Sequence, residues 1–533
     1  MDAGEKVMFQ EMKSDIVIIG GGIGGCAAAL SACRTGKHVL MTEETDWIGG
    51  QFTSQAVPPD EHPWIEQFGC TRSYRQYRNL VRDYYRNHFP LTPEARALDR
   101  LNPGNGVVSR LCHEPRASLA VFHQMLAPYI HSGKLKILYQ YKPESVELNG
   151  DEIIAVTVRN GLLNHQIVLT AEYFLDATEC GDLLPLASAE YVTGSESQAQ
   201  TGEPHALAGP ADPMDMQPIT YCYAITYHEG EDHTIEKPAQ YDFWRDYSNT
   251  QFWTGKLLSW QVPHYITLEP TEYPFFPIEG GPTSRWTYRR IIDKNNFMPG
   301  TYDSDIVIVN WPQNDYWLGS IIDVSEEEKQ RHLEGAKQLS LSLLYWMQTE
   351  APRPDGKQGY PGIKLCKDAV GTEDGLAKYP YIRESRRIQA EFTVVEQMVS
   401  ADIRGAAGAE RFDDTVGIGA YRIDLHPSLG GRPYIDLSSY PFQIPLGSLI
   451  PVRIRNLLAA SKNIGVTHLT NGCYRLHPVE WNIGEAAGAI ASYCLDRNVT
   501  PSQVRNNKML LQDFQTGLER AGIELHWPSI GAL

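Results

Sequence analysis

Gly20, Gly22 and Gly25 fall in the spacing GxGxxG, directly after the apolar run Ile16-Val17-Ile18-Ile19 and just before Ala27-Ala28-Ala29. That arrangement can cradle a pyrophosphate: Gly20 permits the tight turn, Gly22 lets the backbone approach the phosphates, and Gly25 lets a helix lie close on its sheet with its N-terminus facing the anion. Glu43 stands 18 residues beyond Gly25 (43 − 25 = 18), at the end of a second apolar run, His38–Thr42, where a carboxylate accepts from both hydroxyls of a ribose. NAD and FAD satisfy this fingerprint equally, and Glu44 is a second acid at the same place.

Other reactive residues narrow the chemistry. The nine cysteines are scattered with no CxxC pair, so no iron–sulfur or zinc spacing is present, and Cys26 and Cys33, the nearest pair, read as packing residues of the first helix. Cys112-His113-Glu114-Pro115 begins like a zinc-protease motif, but Pro115 interrupts the helix and no second histidine follows, so no metal is assigned. Arg383-Glu384-Ser385-Arg386-Arg387 has the cationic density to clamp an anion, with Arg386 as a candidate for substrate contact; on a helix, surface salt bridging is the competing and favoured reading. Asn310–Tyr316 joins amides, a carboxylate and aromatic faces, as a polar or sugar-like ligand needs, and Asn314 is its candidate; a packed aromatic loop is the alternative.

The elements that must position these groups follow from pattern. Ile16–Ile19, the alanine-rich segment to Gly36 and His38–Thr42 read as strand, helix and strand of an α/β Rossmann unit. Apolar stretches at 135–138, 153–158 and 167–169, separated by Asn149-Gly150 and Asn160-Gly161, read as β-hairpins inserted in it. From about 200 to 410 the chain is rich in Pro, Tyr and Trp, with helices expected over Glu326–Gln348 and Arg386–Met398. The expected division is 14–200 for the first part of the nucleotide domain, 201–414 for an α+β substrate domain and 415–533 for a return to the nucleotide domain. No second strand-GxGxxG-helix occurs: Gly417-Ile418-Gly419 lacks an apolar strand before it.

Beyond these, Trp47-Ile48-Gly49-Gly50-Gln51-Phe52-Thr53 resembles the segment that follows the ribose acid in FAD-dependent oxidoreductases of the glutathione-reductase-like superfamily. Tyr173–Thr178 resembles their mid-chain strand and turn, with Glu179 where glycine is commoner; Asn456–Asn463 is similar to the returning strand, and Asn482–Ala489 to the flavin-facing helix. The broader likeness is to the FAD-dependent oxidoreductase family that also holds the flavin subunit of heterodisulfide reductase, over 14–200 and 415–500. The resemblance implies FAD, held by Gly49, Gly50, Gln51, Thr53, Ala177, Thr178, Asn463, Gly484, Glu485, Ala487 and Val146 of the insert, besides Gly20, Gly22, Gly25 and Glu43. A helix beginning near Gly484 would offer bare N–H groups to the charge of a reduced flavin, although GxxxG with alanines serves close helix packing as well.

The same resemblance puts Asn471–Pro478 beside the isoalloxazine. Hydride transfer from a CH–OH or CH–NH carbon needs a proton acceptor and a cation to place the substrate; His477, expected on an extended segment before Pro478 with a pKa near neutrality, and Arg475 are the candidates. A histidine that only caps the helix is the competing reading. The expected activity is a dehydrogenase or oxidase acting on a small polar organic substrate, with O2 or another electron acceptor. A reductase or monooxygenase fed by an external donor is one alternative, and an FAD-binding assembly or RNA-modification protein another.

With 47 basic and 65 acidic residues the net charge is −18, which disfavours nucleic acid and anionic membranes as partners. No apolar run is long enough to span a bilayer and the polar leader is too short for a secretory signal, so a cytoplasmic location is expected; nothing in the sequence opposes a homo-oligomer.

Overall fold

Ile16–Ile19, fully buried, is the central strand of a five-stranded parallel sheet in the computed structural model, which describes residues 8–533. Across the sheet the order is Leu457–Ala459, Tyr173–Asp176, Ile16–Ile19, Val39–Glu43 and Leu135–Tyr139, with Ile16 opposite both Tyr173 and Val39. Strands buried on both faces read as unbroken apolar runs, as Ile16–Ile19 and Leu457–Ala459 do, whereas the edge strand Leu135–Tyr139 carries exposed Lys136. The returning strand Leu457–Ala459 makes the nucleotide fold discontinuous in sequence, as expected.

One expectation for the insert needs correcting. Leu135–Tyr139 is the edge strand of the parallel sheet rather than a hairpin arm. The antiparallel arms are Lys142–Asn149, Glu152–Asn160 and His165–Thr170, turning at the two Asn-Gly signals, and Met8–Lys13 adds a parallel strand at the edge.

The helix Ile23–Arg34 packs at close range along His477–Arg497, the longest of the C-terminal helices. A Cβ on Gly484 would lie 2.0 Å from the Gly24 carbonyl oxygen and one on Gly488 2.3 Å from that of Ala28, so both positions require glycine for contact. The expectation that a helix begins near Gly484 is overturned: Leu476 is the N-cap, Pro478 sits in the first turn where its missing N–H costs nothing, and Gly484 lies mid-helix.

Residues 216 to 382 supply most of a second hydrophobic core, and a four-stranded antiparallel sheet joins it to the first. Its order is Arg290–Ile292, Ile306–Val309, Tyr223–Tyr227 and Ile363–Leu365. Period-two alternation divides the side chains: Ile306, Ile308 and Ala224 pack into the nucleotide core, whereas Val307, Val309, Tyr223 and Ile225 pack into the second. The helix Glu326–Thr349 covers that second core; Ser325 caps it by accepting from the Glu328 N–H at 3.2 Å, and three glutamates in its first turn face the positive end of its dipole. The helix expected over Arg386–Met398 is absent. Arg387–Ile388 is instead a two-residue strand against Tyr191–Val192, and only Glu396–Val399 is helical.

Candidate functional site

At the C-terminal edge of the parallel sheet the glycine turn opens a narrow cleft. Its walls come from Gly20 and Gly22, from Glu43 and Glu44, and from Gly50, Tyr141–Pro143 and Ala177–Glu179. Gly20 has φ of +103° and no room for a side chain, since a Cβ would sit 2.3 Å from the Ala177 carbonyl oxygen. Gly22 and Gly50 differ in kind: what a Cβ on either would meet first is the Glu179 carboxylate, 2.7 Å away. That carboxylate, ion-paired to buried Lys462, is an anion lying against the backbone of both glycines, beside the N-terminus of helix Ile23–Arg34. An anion site bounded by glycine Cα atoms, a buried lysine and a helix start is what a pyrophosphate requires, so the residues fit FAD provided the Glu179 side chain swings aside.

Glu43 reaches the cleft while accepting from the Gly21 N–H at 3.1 Å and from the Thr45 N–H and hydroxyl at 2.8 Å each. Burial pushes its pKa up to about 8 despite the lowering by Thr45. Thr178 lines the cleft and is fixed through Asp176, which accepts from its N–H at 3.0 Å and its hydroxyl at 2.7 Å. Asn463 bridges the sheet edges, donating to the Asp176 carbonyl at 3.1 Å and accepting from the Ser461 N–H at 3.2 Å.

Gly25 is as expected a packing glycine, its absent Cβ only 2.0 Å from the Gly20 carbonyl oxygen, and Gly49 packs against Phe122 in the same way. Thr53 spends its hydroxyl on the Ile48 carbonyl at 2.6 Å. Gln51 is wholly buried; its amide donates to the Arg475 carbonyl at 3.1 Å and to Glu480, leaving Oε1 without a partner.

Four expected cofactor residues lie elsewhere. Val146 pairs with Val156 in the insert, outside the cleft, and Tyr141, Lys142 and Pro143 line it instead. Gly484 and Ala487 are buried in the middle of the C-terminal helix, and Glu485 is a clamp between helices, accepting from Ser73 and from Arg34 at 3.5 Å. The helix start that does approach the cradle carries Glu480, whose Oε1 accepts from Ser461 at 3.0 Å and lies 3.5 Å from the Gly24 nitrogen.

Beyond the Gln51–Asp60 segment lies a larger cavity of about 630 Å³. Asp60, Tyr381 and Arg475 line it, Arg475 also accepting from Gln51 through its carbonyl at 3.1 Å, and Arg285, Trp311, His426 and Tyr434 lie among its other wall residues. Arg475 is thus in the cavity wall, held by the Tyr381 hydroxyl at 2.6 Å and by Asp424 at 3.3 Å.

His477 is not placed as a base. Its Nδ1 accepts the Asp60 N–H at 3.1 Å, so the neutral ring carries its proton on Nε2, which has no partner of good geometry. Burial drives its pKa down to about 3, far from the expected neutrality, and it is the first helical residue rather than part of an extended segment.

Arg386 and Asn314 also leave the list of substrate contacts. Arg386 ties the loop at Cys180–Asp182 to Asp323 with contacts of 2.8 to 3.1 Å. Asn314, fully buried, accepts from the Trp311 N–H at 2.9 Å and donates to the Tyr221 carbonyl at 3.1 Å, fixing the loop behind the cavity. The arginine run is not a surface cluster either: Arg383 pairs with buried Asp315 at 3.0 Å, and Arg387 with Glu384 and with Glu196 at 2.8 Å.

Sequence reasoning missed His426. Its Nδ1 lies 2.6 Å from Asp315 Oδ2. Burial would raise the Asp315 pKa, but Arg383 and His426 override it and hold the carboxyl below its ordinary value. An ionised Asp315 requires the histidine proton on Nδ1 and leaves Nε2 as the other ring nitrogen of a residue that lines the cavity; burial and then Arg383 lower the ring's pKa, against Asp315, which raises it. The only local signal was Asp315 in an otherwise aromatic loop; its partner is 111 residues away.

His113 and Glu114 serve structure: His113 bonds Ser118 at 2.5 Å, Glu114 caps the helix Pro115–His131, and Pro115 opens that helix rather than breaking one. Among the described residues no helix is long and apolar enough to cross a membrane.

The model of the FAD dependent oxidoreductase family matches residues 15–518. No curated relative matches the chain. Among solved structures it is similar to quinol fumarate reductase of E. coli (11% identity, 96% of this chain, 74% of that one, TM-score 0.34). Another is L-proline dehydrogenase of P. horikoshii (16%, 36% and 25%, 0.18), of which the chain thus spans a quarter. A third is the FAD-complexed glycerol-3-phosphate dehydrogenase of Bacillus halodurans (12%, 40% and 40%, 0.22). With a glycine cradle that fits FAD and a family match over nearly its whole length, the chain belongs to the FAD dependent oxidoreductases.

Proposed function

We propose that this oxidoreductase is a dehydrogenase or oxidase that takes a hydride from a small polar organic substrate held in the 630 Å³ cavity. The observation that carries the reading is the Asp315–His426 pair in that cavity's wall, a neutral imidazole whose tautomer is fixed by a carboxylate at 2.6 Å. FAD, bound along Gly20, Gly22, Gly50, Glu43 and Thr178, supplies the hydride acceptor. His426 Nε2 receives the proton of the substrate O–H or N–H as the C–H bond breaks, and Asp315 stabilises the imidazolium that forms. Arg475, braced by Tyr381 and Asp424, orients the substrate where the cavity meets the flavin-facing segment. His477 holds the Asp60 backbone and so shapes the wall between the two compartments. Residues 201–414 act as the substrate domain, joined at the cavity by 60–63, 421–436 and Arg475.

The test is anaerobic bleaching of the bound flavin by candidate alcohols and amines. His426→Asn should keep FAD bound and slow bleaching roughly 10²- to 10⁴-fold. Unchanged bleaching in that variant would remove the base assignment. Fast, saturable bleaching by NADH or NADPH, with none by any organic substrate, would favour a reductase or monooxygenase.

A further inference from the structure

All but one of the arginines that line the cavity face an acid. Three of its acids each face an arginine: Asp60 faces Arg289 at 3.9 Å, Asp424 faces Arg475 at 3.3 Å, and Asp436 pairs with Arg422. Glu61 is taken by Arg78 at 2.9 Å, and Arg383 by Asp315 at 3.0 Å. Arg285 is left over. It lines the same cavity with only 6% of its surface exposed, and no carboxylate among the described residues lies within ion-pair distance. Its terminal nitrogens donate only to neutral acceptors, the Gln313 side chain at 3.0 Å and the Trp260 carbonyl at 2.9 Å, and its Nε is a buried donor with no partner. The faces of Trp260 and Trp311 hold the guanidinium at 5.7 and 5.1 Å. Burial without a counter-ion pushes its pKa down to about 10.

A buried cation is ordinarily paired, because the protein interior does not repay the water it loses unless an opposite charge lies beside it. We infer that the missing counter-ion is part of the ligand: the cavity takes a substrate bearing one monoanionic group, a carboxylate or a sulfate ester, which docks on Arg285. One unpaired cation matches a single negative charge and would leave a phosphate dianion half uncompensated. Tyr434 lines the same cavity as Arg285, and its ring lies 5.5 Å from that of His426. A ligand fixed at Arg285 shares one cavity with the base. This inference rests on the cavity being the substrate site and names the class of substrate.

Binding is read by tryptophan fluorescence of the FAD-loaded protein, since Trp260 and Trp311 flank Arg285. The probes are D-glucuronate, glucose 6-sulfate and benzoate, set against D-glucose, benzamide and glucose 6-phosphate. At least one monoanion should bind about ten-fold or more tighter than its neutral twin and tighter than the phosphate ester. Arg285→Gln should abolish that preference with flavin content unchanged, and Arg285→Lys should retain part of it. Three results would overturn the inference: no saturable response to any of the three acids, equal binding of neutral twins, or a preference that survives Arg285→Gln. Should that variant fail to fold, the ranking in the unaltered protein decides. Because the readout is binding, loss of this anchor and loss of the oxidation reading are separable: failed bleaching with intact acid preference sinks only the latter.

Discussion

In the nucleotide cleft the decisive groups are backbone and absent side chains, and many of them come from one stretch, Gly20 to Gly50, joined by Ala177–Glu179. In the cavity they are charged and aromatic side chains drawn from positions 60 to 475, such as Asp60, Arg285, Tyr434 and Arg475. On the proposed reading the cleft takes a fixed chemical shape, a pyrophosphate, which any dinucleotide presents, so its geometry is local and tolerates no bulk. The cavity recognises whatever its converging side chains leave unpaired, so its chemistry belongs to the tertiary fold.

That contrast predicts very unequal responses to substitution. Gly24→Val should be the most damaging change, because a Cβ there would lie 1.9 Å from the Ala460 carbonyl oxygen in a junction of helix and returning strand. A loss of roughly 4 kcal/mol or more is expected, seen as loss of soluble, flavin-loaded protein. Tyr265→Ala, on the cavity rim with 43% of the residue exposed, should shift the denaturation midpoint by less than about 0.5 kcal/mol. Comparable losses from both would show that the cavity is as locally constrained as the cleft.

A smaller effect separates recognition from folding inside the cleft. Glu43→Ala should weaken FAD binding by about 2 kcal/mol, measured by titrating stripped protein with FAD. Unchanged affinity would assign Glu43 wholly to its bonds with Gly21 and Thr45 and pass the ribose to Glu44, which also lines the cleft.

The gentlest probe is pH. His62 and His113 are held to about 4 and His477 to about 3, chiefly by burial, whereas an unfolded histidine titrates near 6.5. Below about pH 6.5 the unfolded chain takes up protons that the folded one refuses, so this contribution to stability is complete above 6.5 and is lost as pH falls toward 3. Asp176 and Glu43, raised by burial to about 7 and about 8, act in the opposite sense: their share is present at low pH and is lost as pH rises through those values. Imidazole resonances should show all three histidines neutral at pH 5, and a ring found charged there would remove that histidine from the account.

What the sequence by itself determined is what depends on neighbours along the chain. Ile16–Ile19, the glycine turn, the Asn-Gly hairpin turns and the helix over Glu326–Gln348 could all be read directly, because backbone conformation at a glycine turn and the periodicity of a helix are set within a few residues. Tertiary structure decided the rest. Gly484, Glu485 and Ala487 lie in a motif that serves helix packing and cofactor binding equally well, and only the position of Gly24 shows that packing claims them. The helix expected through Arg386 fails because each arginine is drawn to an acid from another segment, such as Asp323 or Glu196, and those pairs override local propensity. Likewise His477 and His426 are the same residue type in one sequence. One has its lone pair taken by the Asp60 N–H and the other its proton held by Asp315, and the partner across the fold, not the histidine, assigns the role.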